Sequence, residues 1–244
     1  MSALSPTEPV LDASCGAAQA TMIRMDHVTL ELGGRPILRD IDLSIRAGEF
    51  CCVVGASGCG KTSLLRLIAG LVRPGAGTVD VSGERAKAGS NKVSVVFQDY
   101  SNALLPWRTV SGNVSLGLEA AGVSGSQRAA RIEALLAQVG LSGHADKFPG
   151  LAQEPSVLLM DEPFGALDAM TRQVLQDEVL RLAADRKITV VFVTHDLEEA
   201  IYLGDSVVAM SPNPGRIHAR FRVRLSKPRD QLTTPEEPEY RSLR

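Results

Sequence analysis

The sequence is poor in aromatic residues, 4% of 244 positions with a single tryptophan. It also lacks an excess of either charge, since 26 basic and 28 acidic side chains leave a net −2. Both shortages argue against nucleic acid as a partner. There is no basic field to displace counterions, and there are few rings on which single-stranded bases would stack. No apolar run approaches the ~20 residues of a membrane-spanning helix, so a membrane role would have to come through a partner. Cysteine is scarce too. Cys15, Cys51, Cys52 and Cys59 show no metal-ligand spacing, and neighbours 51 and 52 on a strand would face opposite ways. They read as small buried apolar groups in a reducing compartment. Residues 1–21 contain no Lys or Arg and no apolar core, unlike a secretory signal, and are expected to form a disordered tail.

What the chain does have is 44% hydrophobic residues, enough for a sizeable core, and 22 glycines. The most informative glycines lie in residues 55–63, Gly-Ala-Ser-Gly-Cys-Gly-Lys-Thr-Ser. This fits the phosphate-cradling pattern G-x-x-x-x-G-K-[ST]. A polyphosphate needs several N–H donors aimed inward, and glycine lets the backbone come that close. Gly55, Ser57, Gly58, Cys59, Gly60, Lys61, Thr62 and Ser63 are the candidate cradle. Lys61 would reach the β/γ-phosphates, and the Thr62 hydroxyl would take a place on Mg²⁺. The flanks suit the loop. Residues 50–54 form an apolar run fit for a buried parallel strand, and 62–71 carry Leu64, Leu65, Ile68 and Leu71 at helical spacing. Cys59 sits inside the loop, so its alkylation is expected to block nucleotide binding.

The rest of the chain alternates strand and helix. Residues 23–45 read as an antiparallel pair about Gly33-Gly34, with Met25, His27, Thr29 and Glu31 opposite in face to Asp26, Val28, Leu30 and Leu32. Strands are expected at 78–81 and at 92–97, the latter ending on Gln98. A helix over 126–141 would align Ile132, Leu135, Leu136 and Val139. Strand 157–160 delivers Asp161 and Glu162, a long helix carries Leu175, Val179 and Leu182, and strand 188–194 delivers His195. A helix at 197–203 and a strand at 206–210 follow. The fold class is therefore α/β: a P-loop core with a parallel sheet, an N-terminal antiparallel β subdomain and a shortened helical subdomain. Ligand groups in such sheets gather at the strands' carboxyl ends, where Gly55, Gln98, Asp161 and His195 fall. Residues 227–244, with three prolines, read as an extended tail.

Asp161 can hold hydrated Mg²⁺, whose octahedral demands suit a carboxylate, a hydroxyl and phosphate oxygens. Glu162 can orient or deprotonate an attacking water. Taken with Gln98, Pro163, Ala166-Leu167-Asp168 and Thr194-His195-Asp196, these residues resemble the ATP-binding subunits of ABC transporters over nearly all of 23–226. The resemblance implies ATP and Mg²⁺ as cofactors and an ATP-binding domain over 22–226, with its helical subdomain at about 99–155. It implies Gln98 on Mg²⁺ and the water, sensing a transmembrane partner. It further implies Glu162 as general base, Asp168 facing a second subunit and His195 on the γ-phosphate. Residues 104–110 and 211–217 look like the nitrate/sulfonate/taurine importer ATPases. That subfamily implies a peripheral protein at the cytoplasmic face of the membrane, paired with a second copy and with transmembrane permease subunits. It would work indirectly with a periplasmic or extracellular solute-binding protein. Trp107 suits either core packing or docking of a membrane partner's helix.

Two departures stand out. Where the family stacks adenine on an aromatic residue this chain has Leu32, and a lost stack weakens binding by ~1–3 kcal/mol. Between the Gln98 loop and Asp161 the family carries Leu-Ser-Gly-Gly-Gln and a long helix, yet here Gly150 runs straight into Leu151. About fifteen residues, roughly four helical turns, are missing from that pattern. Residues 123–127 and 141–144 are decoys for it, the first lying too early and the second resembling a glycine helix stop. In the family this segment caps the γ-phosphate held by the other subunit, so binding with poor hydrolysis is expected. The competing reading is a non-catalytic ATP-binding module or a defective remnant. A GTPase or kinase is disfavoured, since no Asn-Lys-x-Asp guanine reader occurs.

Overall fold

The computed structural model of the chain describes residues 20–90, 92–96, 108–120, 123–138, 143, 145–146, 155–165 and 167–243. β1 (Thr21–Leu32) and β2 (Arg35–Arg46) pair antiparallel across a Gly33–Gly34 turn in which both glycines take positive φ. The simple alternation expected for β1 does not hold. Ile23 and Met25 are buried, and so are Val28 and Leu30, which lie on the opposite parity. A bulge between Met25 and Val28 absorbs the extra residue, with His27 at φ 48. Such a bulge flips which residues face the core. β4 (Ala76–Val81) pairs with the other side of β1 and β5 (Glu84–Arg85) completes a four-stranded sheet in the order β2-β1-β4-β5.

The second sheet is built on β3 (Phe50–Gly55). β3 lies parallel between β8 (Thr189–Thr194) and β9 (Ser206–Ser211), and β7 (Val157–Asp161) and β6 (Val93–Val96) extend the sheet beyond β8. The expected parallel sheet is thus present, with one addition. β10 (Arg216–Arg222) runs antiparallel to β9 at the sheet's edge. Its largely exposed, arginine-rich sequence carries no apolar alternation to betray a strand, and charge of this kind blunts an edge. Both faces of the sheet are buried. Cys51 and Val53 join a core with the N-terminal sheet and α1 (Lys61–Ile68), while Phe50 and Cys52 join one with α4 (Ala169–Arg186) and α5 (Leu197–Leu203). Adjacent cysteines therefore belong to different cores, as a period of two requires.

Two expectations need correction, the end of α1 and the C-terminal tail. α1 stops at Ile68 and not near 71, because Gly70 turns at φ 68 with the Lys87 backbone pressed against it. A Cβ there would lie 2.4 Å from that backbone, and Leu71 is left exposed outside the helix. The helix expected over 126–141 is α3 (Gly125–Gln138), packed against α2 (Val110–Ala120). On its apolar face Leu136 is buried but Leu135 is 41% exposed, and Val139 lies outside the described residues. Residues 227–243 are not an extended tail. They form a 3₁₀ turn (Thr234–Glu236) and α6 (Pro238–Leu243), with Tyr240 buried. Prolines 235 and 238 sit in first turns, where the missing N–H does no harm.

One buried charge ties the sheet together at its far end. Glu49, just before β3, accepts from the Ser206 hydroxyl at 2.6 Å, the Arg220 guanidinium at 2.7 Å and the Arg46 N–H at 2.9 Å. Burial alone would raise its carboxyl, but those three donors outweigh it and hold the group below its usual 4.5. A carboxyl that titrates lower in the folded than in the unfolded protein stabilises fully above about pH 4.5 and loses that contribution as pH falls through the folded value. Glu49→Gln should therefore lower the urea midpoint at pH 7 and flatten its fall below pH 4.5. Arg220→Ala should lower unfolding free energy by roughly 1–3 kcal/mol.

Candidate functional site

The ladder register decides where the strands stop. Val54 lies opposite Thr194 and Asp161 opposite Val193, so the chain leaves β3, β7 and β8 at nearly one level. Gly55, Glu162 and His195 thereby come to one rim, at the carboxyl ends of parallel strands.

From Gly55 the chain arches over residues 56–60 into α1. Gly58 takes φ 78 and Gly60 φ 98, conformations that an L side chain resists. A Cβ on Gly60 would also fall 2.6 Å from the Leu38 side chain, so β2 braces the loop from below. Ser57 and Gly58 are exposed at the crest. The first turn of α1 has no side-chain cap and no acidic residue, which leaves its amide hydrogens and dipole to an anion. Lys61 is buried to 6% exposure, and its ammonium donates to the carbonyls of Gly55 at 2.7 Å and Ala56 at 3.3 Å.

The acidic and imidazole groups meet above this lysine. The Glu162 side chain, 20% exposed, lies 3.8 Å through Oε1 from Lys61 Nζ and 3.2 Å through Oε2 from His195 Nδ1. Glu162 has φ 46, left-handed backbone for a residue with a long side chain, and its N–H is held by the Val193 carbonyl at 2.9 Å. Such strain concentrates at functional sites. Asp161 is buried and accepts a hydrogen bond from the Thr62 side chain. Burial pushes its carboxyl up; the Thr62 hydroxyl works against that, Glu162 adds to it and Lys61 opposes it. A carboxylate and a hydroxyl side by side are hard oxygen donors of the kind Mg²⁺ takes. The uncapped amides, the ammonium and this donor pair fit a nucleotide polyphosphate with its cation.

Of the sequence-derived candidates, Lys61, Thr62, Asp161, Glu162 and His195 are brought together, with Gly55, Ser57, Gly58, Gly60 and Ser63 forming the loop and first turn. Gln98 lies outside the described residues, as do Trp107 and the 150–151 junction. Leu32 stands 45% exposed at the hairpin tip. Cys59 agrees with the reading of the cysteines as small apolar groups. Its side chain is fully buried, with Sγ 2.7 Å from where a Cβ on Gly55 would lie, among Leu64, Leu65 and Met210. It faces the core beneath the loop and offers no thiol to the crest. Asp168 caps α4, accepting from the Thr171 N–H at 3.0 Å and hydroxyl at 2.7 Å, and the Thr171 N–H holds its carboxyl below the usual range.

With this geometry the chain belongs to the ABC transporter family, whose profile matches residues 38–165. It is similar to an ABC transporter ATP-binding protein of Methanocaldococcus jannaschii at 43% identity, covering 90% of this chain and 88% of the relative. It is also similar to the aliphatic sulfonates import ATP-binding protein SsuB 1 of Xanthomonas axonopodis pv. citri (43%, 82% and 84%). A third relative is the taurine import ATP-binding protein TauB of Escherichia coli O157:H7 (38%, 84% and 86%). Among solved structures, a dimeric ATP-binding cassette in a post-hydrolysis state with ADP and phosphate superposes with TM-score 0.58 at 26% identity, covering 83% of this chain and 99% of that one.

Asp161→Asn should weaken Mg²⁺-dependent nucleotide affinity at least about ten-fold while leaving metal-free binding little changed, measured by calorimetry with and without EDTA. In the folded protein Cys59 should resist N-ethylmaleimide and react only on unfolding. Peptide mass spectrometry showing equal labelling in buffer and in urea would contradict its burial.

Proposed function

We propose that this chain is the ATP-binding subunit of an importer for a nitrate-, sulfonate- or taurine-type solute, and that it binds Mg·ATP but hydrolyses it slowly. The carrying observation is the cluster in which Glu162 touches both Lys61 and His195 beside an uncapped helix turn. Residues 55–63 would hold the phosphates, with Thr62 and Asp161, joined by Gln98, holding Mg²⁺. Glu162 would take the proton of the attacking water, and His195 would hold the γ-phosphate. Binding of ATP would drive closure of paired subunits, and cleavage of its phosphoanhydride would release them. The relatives named for taurine and sulfonate import support the solute class. No helix among the described residues is long and apolar enough to cross a membrane. On this reading the protein sits at the cytoplasmic face against permease subunits and a second copy of itself, and a solute-binding protein delivers cargo from outside.

Slow hydrolysis follows from the segment missing between Gly150 and Leu151. The alignment with the Methanocaldococcus protein spans 238 positions, to which this chain contributes 90% of its 244 residues, leaving roughly eighteen without a counterpart. Apolar side chains stand uncovered nearby in sequence, with Met170 at 80% and Val174 at 59% exposure on α4. These lengths and exposures support a lost helix. They also favour the second reading, a non-catalytic ATP-binding module.

Calorimetry with millimolar ATP and Mg²⁺ should show binding that Lys61→Ala weakens about ten- to a hundred-fold, the loss of a charge-assisted hydrogen bond. In single-turnover assays, a version with a family-type segment inserted after Gly150 should release phosphate ~10²–10³ faster than the parent, since the segment restores donors for developing charge. A parent already as fast as the restored version would refute slow hydrolysis. Absence of binding would remove the whole assignment.

A further inference from the structure

The C-terminal residues make contacts that the nucleotide site above does not account for. α5 begins two residues after His195 and has only seven residues, too few to hold its own conformation. Both of its ends are gripped from residues 229–240. At its C-terminal end the Arg229 guanidinium donates to the Tyr202 carbonyl, to the Gly204 carbonyl at 2.8 Å and, at 3.5 Å, to that of Ile201. These are the carbonyls a helix leaves unpaired, and a cation there also suits the dipole. Near its N-terminal end the buried Tyr240 donates its hydroxyl to the Glu198 carbonyl at 3.2 Å.

The same stretch reaches α4. The Gln231 amide lies within hydrogen-bond reach of Gln176 Oε1 and Asp177 Oδ1, both at 3.1 Å, and of the Gln173 carbonyl at 3.4 Å. α4 and α5 are joined directly as well, by Gln176 to Glu199 at 2.9 Å and Tyr202 to Asp177 at 2.6 Å. Asp230 keeps the stretch bent by accepting from the N–H groups of Leu232 and Thr233. α4 starts at Asp168 and α5 starts at the His195 turn, so one strap fastens both.

We infer that residues 229–240 form a positioning strap for the nucleotide site, in which Arg229 and Gln231 hold the His195 turn in fixed register with the Asp168 turn. Neither residue touches a ligand group: Arg229 acts through α5 and Gln231 through α4. The inference rests on the assignment of His195 to the γ-phosphate made above. Discrimination between nucleoside triphosphate and diphosphate should therefore depend on the strap, since only the triphosphate reaches His195.

The test uses the full chain and needs no hydrolysis. Affinities for Mg²⁺ with a non-hydrolysable ATP analogue and for Mg²⁺ with ADP are measured by calorimetry for the parent, His195→Ala, Arg229→Ala, Gln231→Ala and each strap change combined with His195→Ala. Arg220→Ala, which loosens Glu49 elsewhere, is the control for general destabilisation, and half-exposed Gln231→Ala serves if Arg229→Ala does not fold. The expected result is a fall of about five-fold in the triphosphate-to-diphosphate preference for His195→Ala and for each strap variant, with no further fall in the doubles. Arg220→Ala should keep the parental preference. Strap variants that lose thermal stability but keep that preference, beside a His195→Ala that loses it, would overturn the strap alone. A His195→Ala with parental preference would overturn the His195 assignment and the strap with it.

Discussion

The strands β3, β7 and β8 pair in parallel register with nearly equal lengths, and this protein depends on the level at which they stop. Because β3, β7 and β8 leave the sheet at one level, three residues far apart in sequence, Gly55, Glu162 and His195, reach a common rim. The phosphate loop adds a turn whose positive φ at residues 58 and 60 favours glycine. Glu162 completes the arrangement by adopting left-handed backbone, which swings its carboxylate between Lys61 and His195. The strained conformation is held by the Val193 carbonyl, a ladder neighbour, so the sheet that fixes the level also fixes the angle.

A sheet buried on both faces must be covered on both, and the chain uses different means on each. The N-terminal sheet and α1 cover one side, with Leu38 running under the loop. α4 and α5 cover the other, where Phe192 packs against Phe50 and Phe164 at centroid distances of 6.0 and 5.5 Å. The far end of β3 is closed by the Glu49 network, a polar cluster whose members are all paired. The mechanical base of the site is therefore remote from its chemistry.

Much of this was legible in the sequence, for local reasons. Strand, glycine turn and helix are contiguous in residues 50–68, so periodicity and loop spacing suffice to place Lys61 and Thr62. Asp161 and His195 each follow a short apolar run, and their convergence follows from the order of motifs. What escaped was set by tertiary contact. The end of α1 is dictated by the Lys87 backbone, 17 residues beyond Gly70, and the face of Val28 by a bulge that composition does not announce. β10 is a strand because β9 offers it an edge. Prolines 235 and 238 count as helix breakers in a window but as helix starters where they stand.

The lysine of the loop already has partners of its own, the carbonyls of Gly55 and Ala56. A buried ammonium with nothing to satisfy it is costly, and these two carbonyls offset that cost. The arch thus anchors the very side chain it presents, so the charge and the backbone amides of the loop keep one fixed spacing.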